Sequence, residues 1–251
     1  GAVDNRHTPA RPAASRLFDD RSQRFLSHAR IVFQRQRFYA VAKVMVAHFT
    51  GEGHNSTVFI ALCQPFLQAR PTLYQTEKRA ALALAEQAQA LLGLRISGPE
   101  YSWITTTLAP PEAKRLSRHP DFAAVAVGWL KQAGAGPGSR VAVNLSGSFP
   151  ALNIAVLAAI EAVGAQPVIT SSVGASTWGA TDPEFTWLDM ERELTAAGLW
   201  RSRTVAASLG GVGDAGGGLT PEGKERARAA IRRSGADLIA AADLQGAIGR
   251  R

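Results

Sequence analysis

From residue 134 onward, short apolar runs alternate with longer segments of helical period. Residues 141–145 (VAVNL), 166–170 (QPVIT), 203–208 (RTVAAS) and 236–240 (ADLIA) read as strands. Helices are expected over 151–163, within 186–199 and over 221–233. Gly164 stops the first of them, and Thr220 followed by Pro221 starts the third. Apolar strands alternating with helices of this length predict an α/β domain. The expected architecture is a parallel, Rossmann-like sheet with helices on both faces, preceded by a helical N-terminal region.

The N-terminal part has a different texture. Residues 76–93 (TEKRAALALAEQAQALLG) form an Ala/Leu-rich helix, with Thr76 as its cap and Gly93 as its stop. A second helix is expected within 110–133, starting at Pro110 or Pro111. Residues 1–56 mix Arg, Gln, His and Pro without a sustained period, and 21–49 is the one stretch read there as a helix. The expected organisation is a basic, poorly ordered or membrane-proximal arm (1–69), a helical lead-in (70–133) and an α/β domain (134–251).

Composition narrows the class. Hydrophobic residues are 46% and charged residues 19% of the 251, which excludes a wholly disordered chain. The single cysteine, Cys63, excludes a disulfide scaffold. The net charge is +8, and +6 of it lies in residues 1–70. With the basic excess confined to the arm, nucleic-acid binding is not expected of the globular part. An anionic membrane face is the other partner such an arm suits. Uncharged stretches between Glu52 and Arg70, over 141–160 and over 162–181 are all broken by polar residues, Gly or Pro, so none reads as a membrane span.

Three loops fall where an α/β sheet binds ligands, at the carboxyl ends of its strands. In the first, SGSFPALN (146–153), a strand delivers Ser146, Gly147 and Ser148 to a helix N-terminus, with Asn153 inside the helix. Free N–H groups and two hydroxyls there suit an anion, and Gly147 lets the backbone approach it. The alternative is a serine that only caps the helix. The second loop, SSVGASTWGATDPEF (171–185), carries Ser171, Ser172 and Ser176 and ends in Asp182 and Glu184. Those carboxylates suit acid–base work or a cation, or else a turn and a helix start. Asp189, Glu191 and Glu193 beyond them are expected on a solvated helix face. The third loop, GGVGDAGGG (210–218), offers Gly211, Gly213 and Asp214 and lacks the pattern of a P-loop or dinucleotide fingerprint. It is expected to be flexible and able to close over a ligand.

Catalytic motifs are sparse. NLSGS is not a G-x-S-x-G elbow, and all five histidines precede residue 120, so only His119 stands near enough to serve a triad. HExxH, CxxC and EF-hand patterns are missing, so no metal site is expected, and no motif identifies a cofactor.

Residues 101–134, 141–191 and 205–218 resemble the poly-gamma-glutamate system protein family. The motifs that carry the likeness are SGSFPALN and SSVGAS-WGATDPEFTWLDME, supported by TTTL (105–108) and EAKR (112–115). The resemblance implies a bacterial, membrane-associated accessory protein of the loci that make and export poly-gamma-glutamate. Other subunits of that machinery are its implied partners. Members carry an N-terminal anchor and continue past the position of Arg251, which implies that the last strands lie beyond this chain.

The function expected on this basis is binding of an anionic ligand by the Ser146–Ser148 and Ser171–Ser176 loops. Candidate ligands are the polymer end, glutamate or a phosphorylated precursor. Lys114 and Arg115 supply counter-charge if their helix faces this cleft, and otherwise decorate the surface. Two enzyme readings stand beside it. One is a phosphosugar isomerase-like activity, because SGSFPALNIAVLAAIEAVGAQPVIT also looks like the sugar isomerase domain. The other is a serine-dependent hydrolase of the gamma-amide bond, for which a histidine is lacking.

Overall fold

The computed structural model describes residues 74–251 apart from 242, together with the backbone of residues 38–40. The basic arm of residues 1–69 and its ordering therefore lie outside the described residues, except for a short strand, β1 (Phe38–Ala40), inside the stretch expected to be helical.

The expected α/β class with a parallel sheet is present. Strands β3 (Arg140–Ser146), β4 (Gln166–Ser172), β6 (Thr204–Ser208) and β9 (Asp237–Leu238) run parallel, in the sheet order β1-β3-β4-β6-β9. Helices α4 (Pro150–Ala162), α5 (Trp187–Ala196) and α6 (Pro221–Ser234) are the crossovers between them. Neighbouring strands follow one another in sequence, so right-handed crossovers place these three helices on one face. That face carries the buried Val141, Val143, Leu145, Ile169 and Ala207. The opposite face presents Asn144, Ser146, Thr170, Ser172 and Ser208, and the side chain of Arg251, at the end of α7 (Leu244–Arg250), reaches it.

The helical lead-in belongs to the same core. Helix α4 is apolar all round and buried along almost its whole length, as a central helix must be. It packs on β3 and β4 and against α1 (Gln75–Leu92) and α3 (Asp121–Gln132). Ala81, Ala85 and Ala88 form a small-residue stripe on α1 that is fully buried. Each fully buried Leu or Ile of α4 contributes about 1.5–3 kcal/mol.

Two local expectations fail for identifiable reasons. The helix expected over 110–133 is divided into α2 (Pro111–Ser117) and α3, because Pro120 has no N–H to donate and disfavours a helical residue before it. Thr76 does not cap α1; the preceding position is Tyr74, with φ 60° and no side-chain cap. By contrast, Thr220 accepts from Gly223 N at 3.1 Å at the start of α6, as a capping threonine should.

Candidate functional site

The site is built where β3 and β4 end. Ser146 is the last residue of β3, and its Oγ accepts from Ser148 N at 3.2 Å. Asn153, on the first turn of α4, donates its side-chain amide to Ser146 O at 2.8 Å. The residue that caps α4 is Phe149, with no side-chain cap, so the serines are not helix caps. The Oγ of Ser148 instead accepts from Ser176 N at 3.0 Å, across to the second loop.

The two loops are locked face to face. Gly147 N donates to Ser172 O at 3.0 Å, and Ala180 N donates to Gly147 O at 2.7 Å. A Cβ on Gly147 would lie 2.7 Å from Val173 O, and one on Gly179 would lie 2.6 Å from Gly147 O. Gly147 therefore serves loop-to-loop packing rather than the approach of a ligand.

A strand that the sequence did not signal completes the arrangement. Residues Thr105–Thr107 form β2, which pairs in parallel with β5 (Ala175–Ser176), with Thr107 opposite Ser176. Ala109 and the Thr177 hydroxyl exchange hydrogen bonds of 2.8 and 3.0 Å, and α2 begins at once after them. This aims Lys114 of α2 back at the loops. Lys114 is 6% exposed, and its Nζ donates to Ser176 Oγ at 2.6 Å and to Ser148 O. The Nζ also lies 3.8 Å from the centre of the Phe149 ring. Its neighbour Arg115 points to solvent and pairs with Glu112 at 2.9 Å, so only the lysine of this pair turns back to the serine loops.

The electrostatics of Lys114 are unusual. Its nearest oxygens belong to neutral groups, and no carboxylate among the described residues pairs with it. Burial pushes its ammonium down from 10.5 to about 7. A shift of that size corresponds to a charged form disfavoured by on the order of 5 kcal/mol. The ring contact offsets part of that, by about 2 kcal/mol.

The other expected site residues divide among four places. Strand register sets Ser146 beside Ser172 and Ser172 beside Ser208, a row of serines across three strand ends. Below that row, the Arg251 guanidinium bonds Asn144 Oδ1 at 3.2 Å, Thr170 Oγ1 at 3.0 Å and Ser208 Oγ at 2.8 Å, and pairs with Asp214 at 2.7 Å. Asp214 also accepts from Ser208 Oγ at 2.5 Å. Gly211 and Gly213 belong to the same third loop. Instead of a free lid, it folds into β7 (Gly210–Gly211) and β8 (Ala215–Gly217), tied by Val212 N to Gly217 O at 3.0 Å.

Ser171 lies on the other face, fully buried, with its Oγ 2.7 Å from Thr204 Oγ1. It is therefore separated from the Ser146–Ser148–Ser176 group. Asp182 makes a turn, its Oδ1 accepting from Glu184 N at 2.9 Å.

The solvated face expected for α5 is also corrected. Only Glu193 is at the surface, paired with Arg95 at 2.7 Å. Asp189 and Glu191 are each 1% exposed. Burial opposes the Asp189 charge, but hydrogen bonds from Arg233 and Thr186 hold its carboxyl below the usual range. Glu191 accepts from Thr204 N at 2.8 Å and from Thr204 Oγ1 at 3.1 Å, and burial pushes it up to about 7.

His119 is exposed and lies 3.4 Å from Asp121, and the other four histidines lie outside the described residues. Among the described residues no cluster suits a metal ion, and no helix is long and apolar enough to cross a membrane. No protein-family model, curated protein or solved structure matches the chain.

Proposed function

We propose that this protein binds the carboxylate end of a glutamate-based polymer at the Ser146–Ser148–Ser176 cleft, as an accessory component of poly-gamma-glutamate synthesis or export. The observation that carries the reading is Lys114. It is buried, and among the described residues its Nζ meets only neutral groups, the hydroxyl of Ser176, the carbonyl of Ser148 and the Phe149 ring. An anion from outside supplies the charge that the fold withholds. A carboxylate can accept from an ammonium and a hydroxyl together, and it is what a glutamate chain presents at its end.

The test is calorimetric titration of short gamma-linked glutamate oligomers, with L-glutamate, inorganic phosphate and a sugar phosphate as competitors. The expected result is oligomer binding that takes up a proton at neutral pH, weakens above pH 7, and disappears in Lys114→Met. Phosphate or sugar-phosphate binding in preference to the oligomer overturns the reading in favour of a phosphosugar enzyme. Oligomer binding that Lys114→Met leaves intact overturns the site. In cells, loss of polymer on deletion, restored by wild type but not by Lys114→Met, places the cleft in the pathway.

A further inference from the structure

We infer that Lys114 and Ser176 form a catalytic dyad that breaks, by acyl transfer, the amide bond whose acyl product the cleft binds. This inference rests on the carboxylate reading above and adds a reaction to it. A hydrolase needs a nucleophile, a base within hydrogen-bond reach of it, and a support that fixes both. Here Ser176 is the nucleophile, with its Oγ 2.6 Å from the lysine Nζ. The support consists of hydrogen bonds and a ring contact. Ser176 is held by the β2–β5 pairing and by its own N–H to Ser148 Oγ at 3.0 Å. Lys114 is held by its bond to Ser148 O and by the Phe149 ring. The missing histidine, which argued against a hydrolase, is not required when a lysine takes the base's place.

Burial supports the same assignment. A lysine paired with a carboxylate stays protonated and is useless as a base. Lys114 has no such partner among the described residues, and burial pushes it down to about 7, so an unprotonated fraction exists at neutral pH. Glu112 and Arg115, the charged neighbours on its own helix, pair with each other at the surface. The groups facing the Nζ from the opposing loops are Ser148 O, Ser176 Oγ and the Phe149 ring, none of them ionised.

The step balances with water as the co-reactant. Ser176 Oγ attacks the amide carbonyl carbon while its proton passes to neutral Lys114 Nζ. Collapse of the tetrahedral intermediate breaks the C–N bond, and the lysine ammonium returns the proton to the leaving amine. Water then attacks the ester and gives a proton to Lys114. The C–Oγ bond breaks, and Ser176 recovers its proton from the lysine. The acid product ionises to the carboxylate that the cleft holds.

The experiment uses a fluorophosphonate probe on the full chain, with the adduct mapped by mass spectrometry. Release of p-nitroaniline from a gamma-glutamyl anilide and calorimetric titration of the gamma-glutamate oligomer run beside it. Expected are labelling at Ser176, a labelling rate that rises through about pH 7, and anilide release. Lys114→Met should lower the rate by about 100-fold or more. Ser176→Ala should lose both labelling and turnover. An adduct on Ser148 alone, or neither adduct nor release from folded wild type, overturns the dyad. So does labelling of Ser176 that is unchanged in Lys114→Met. If that variant does not fold, the wild-type pH profile decides, and a flat profile overturns the dyad. Oligomer binding without labelling or release sinks the dyad and leaves the carboxylate reading standing; labelling and release without oligomer binding do the reverse.

Discussion

Lys114 and Ser176 are 62 residues apart in sequence and 2.6 Å apart at Nζ and Oγ. Neither is remarkable in its local context: one is in a seven-residue surface helix, the other in a two-residue strand. Their meeting depends on a strand, β2, whose pairing with β5 brings the start of α2 to the end of β4. The same pairing buries the lysine among neutral groups, the arrangement on which the proposed anion binding and base both rest.

The buried lysine should leave a signature in stability. Its folded pKa is depressed from 10.5 to about 7, so between those values the unfolded chain holds more protons than the folded one. Its unfavourable contribution is full below pH 7 and fades as pH rises to about 10.5. Wild type should therefore gain stability relative to Lys114→Met across that window, by several kcal/mol at most. Parallel denaturant titrations at pH 6.5 and 9.5 measure this, and a difference that does not change with pH contradicts it.

Glu191 should act in the opposite sense at lower pH. Its carboxyl is raised from 4.5 to about 7, so the folded protein holds the extra proton between those values. The stability it contributes is full below pH 4.5 and is lost as pH rises through 7. Glu191→Gln keeps an oxygen to accept from Thr204 N and removes the titration. The variant's melting temperature should fall less than that of wild type between pH 4.5 and 7.

Ser146→Ala with Ser148→Ala should lower stability moderately and remove ligand binding. Each serine Oγ accepts from a backbone N–H, of Ser148 and Ser176 respectively. An N–H left without a partner costs about 1–3 kcal/mol. Circular dichroism should show a folded domain with a lowered midpoint, and calorimetry should show no oligomer binding. Full affinity in the double variant would place the ligand elsewhere.

Gly147→Val should damage the fold before it damages the site. The added Cβ would stand 2.7 Å from Val173 O, in backbone that cannot yield easily. Overpacking of this kind costs about 1–3 kcal/mol, and more where a loop pairing breaks. A lowered melting temperature without ligand, measured by calorimetric scanning, is the expected outcome. An unchanged melting temperature with lost binding would restore the idea that Gly147 makes room for a ligand.

Removing Arg233 should expose how α5 and α6 are tied. Its guanidinium bonds both oxygens of Asp189, at 2.9 and 2.8 Å, and Asp189 is 1% exposed. Arg233→Met strands that carboxylate, with only Thr186 and the half-exposed Arg192 left near it. Because Arg233 is itself partly exposed, the loss should be about 2–3 kcal/mol, at the lower end for a broken buried pair. Urea denaturation at pH 7 reads it, and a loss under about 0.5 kcal/mol would show that water takes the arginine's place.

Much of the framework was legible in the residues because it is set locally. Runs such as VAVNL pair with their neighbours wherever they fall, and α4 is apolar on every side, so it has to be central. Gly164, with φ 71°, ends its helix for reasons of backbone sterics alone. The serine loops were legible for the same reason, since a strand feeding a helix in a parallel sheet puts its turn at the carboxyl edge.

What the residues could not display depended on which distant pieces meet. Three threonines in a row carry no strand signal until β5 lies beside them. Lys114 and Arg115 are adjacent basic residues of one short helix, and only packing sends the first into the cleft and the second to Glu112. Ser171 and Ser172 are neighbours whose side chains the pleat sends to opposite faces, so only the second joins the row of strand-end serines. Local periodicity thus determined the main parallel strands, the helices between them and the place of the first two loops. Tertiary structure decided the burial and the partners of Lys114, the residue on which the proposed chemistry rests, because burial and long-range pairing are not properties of a segment.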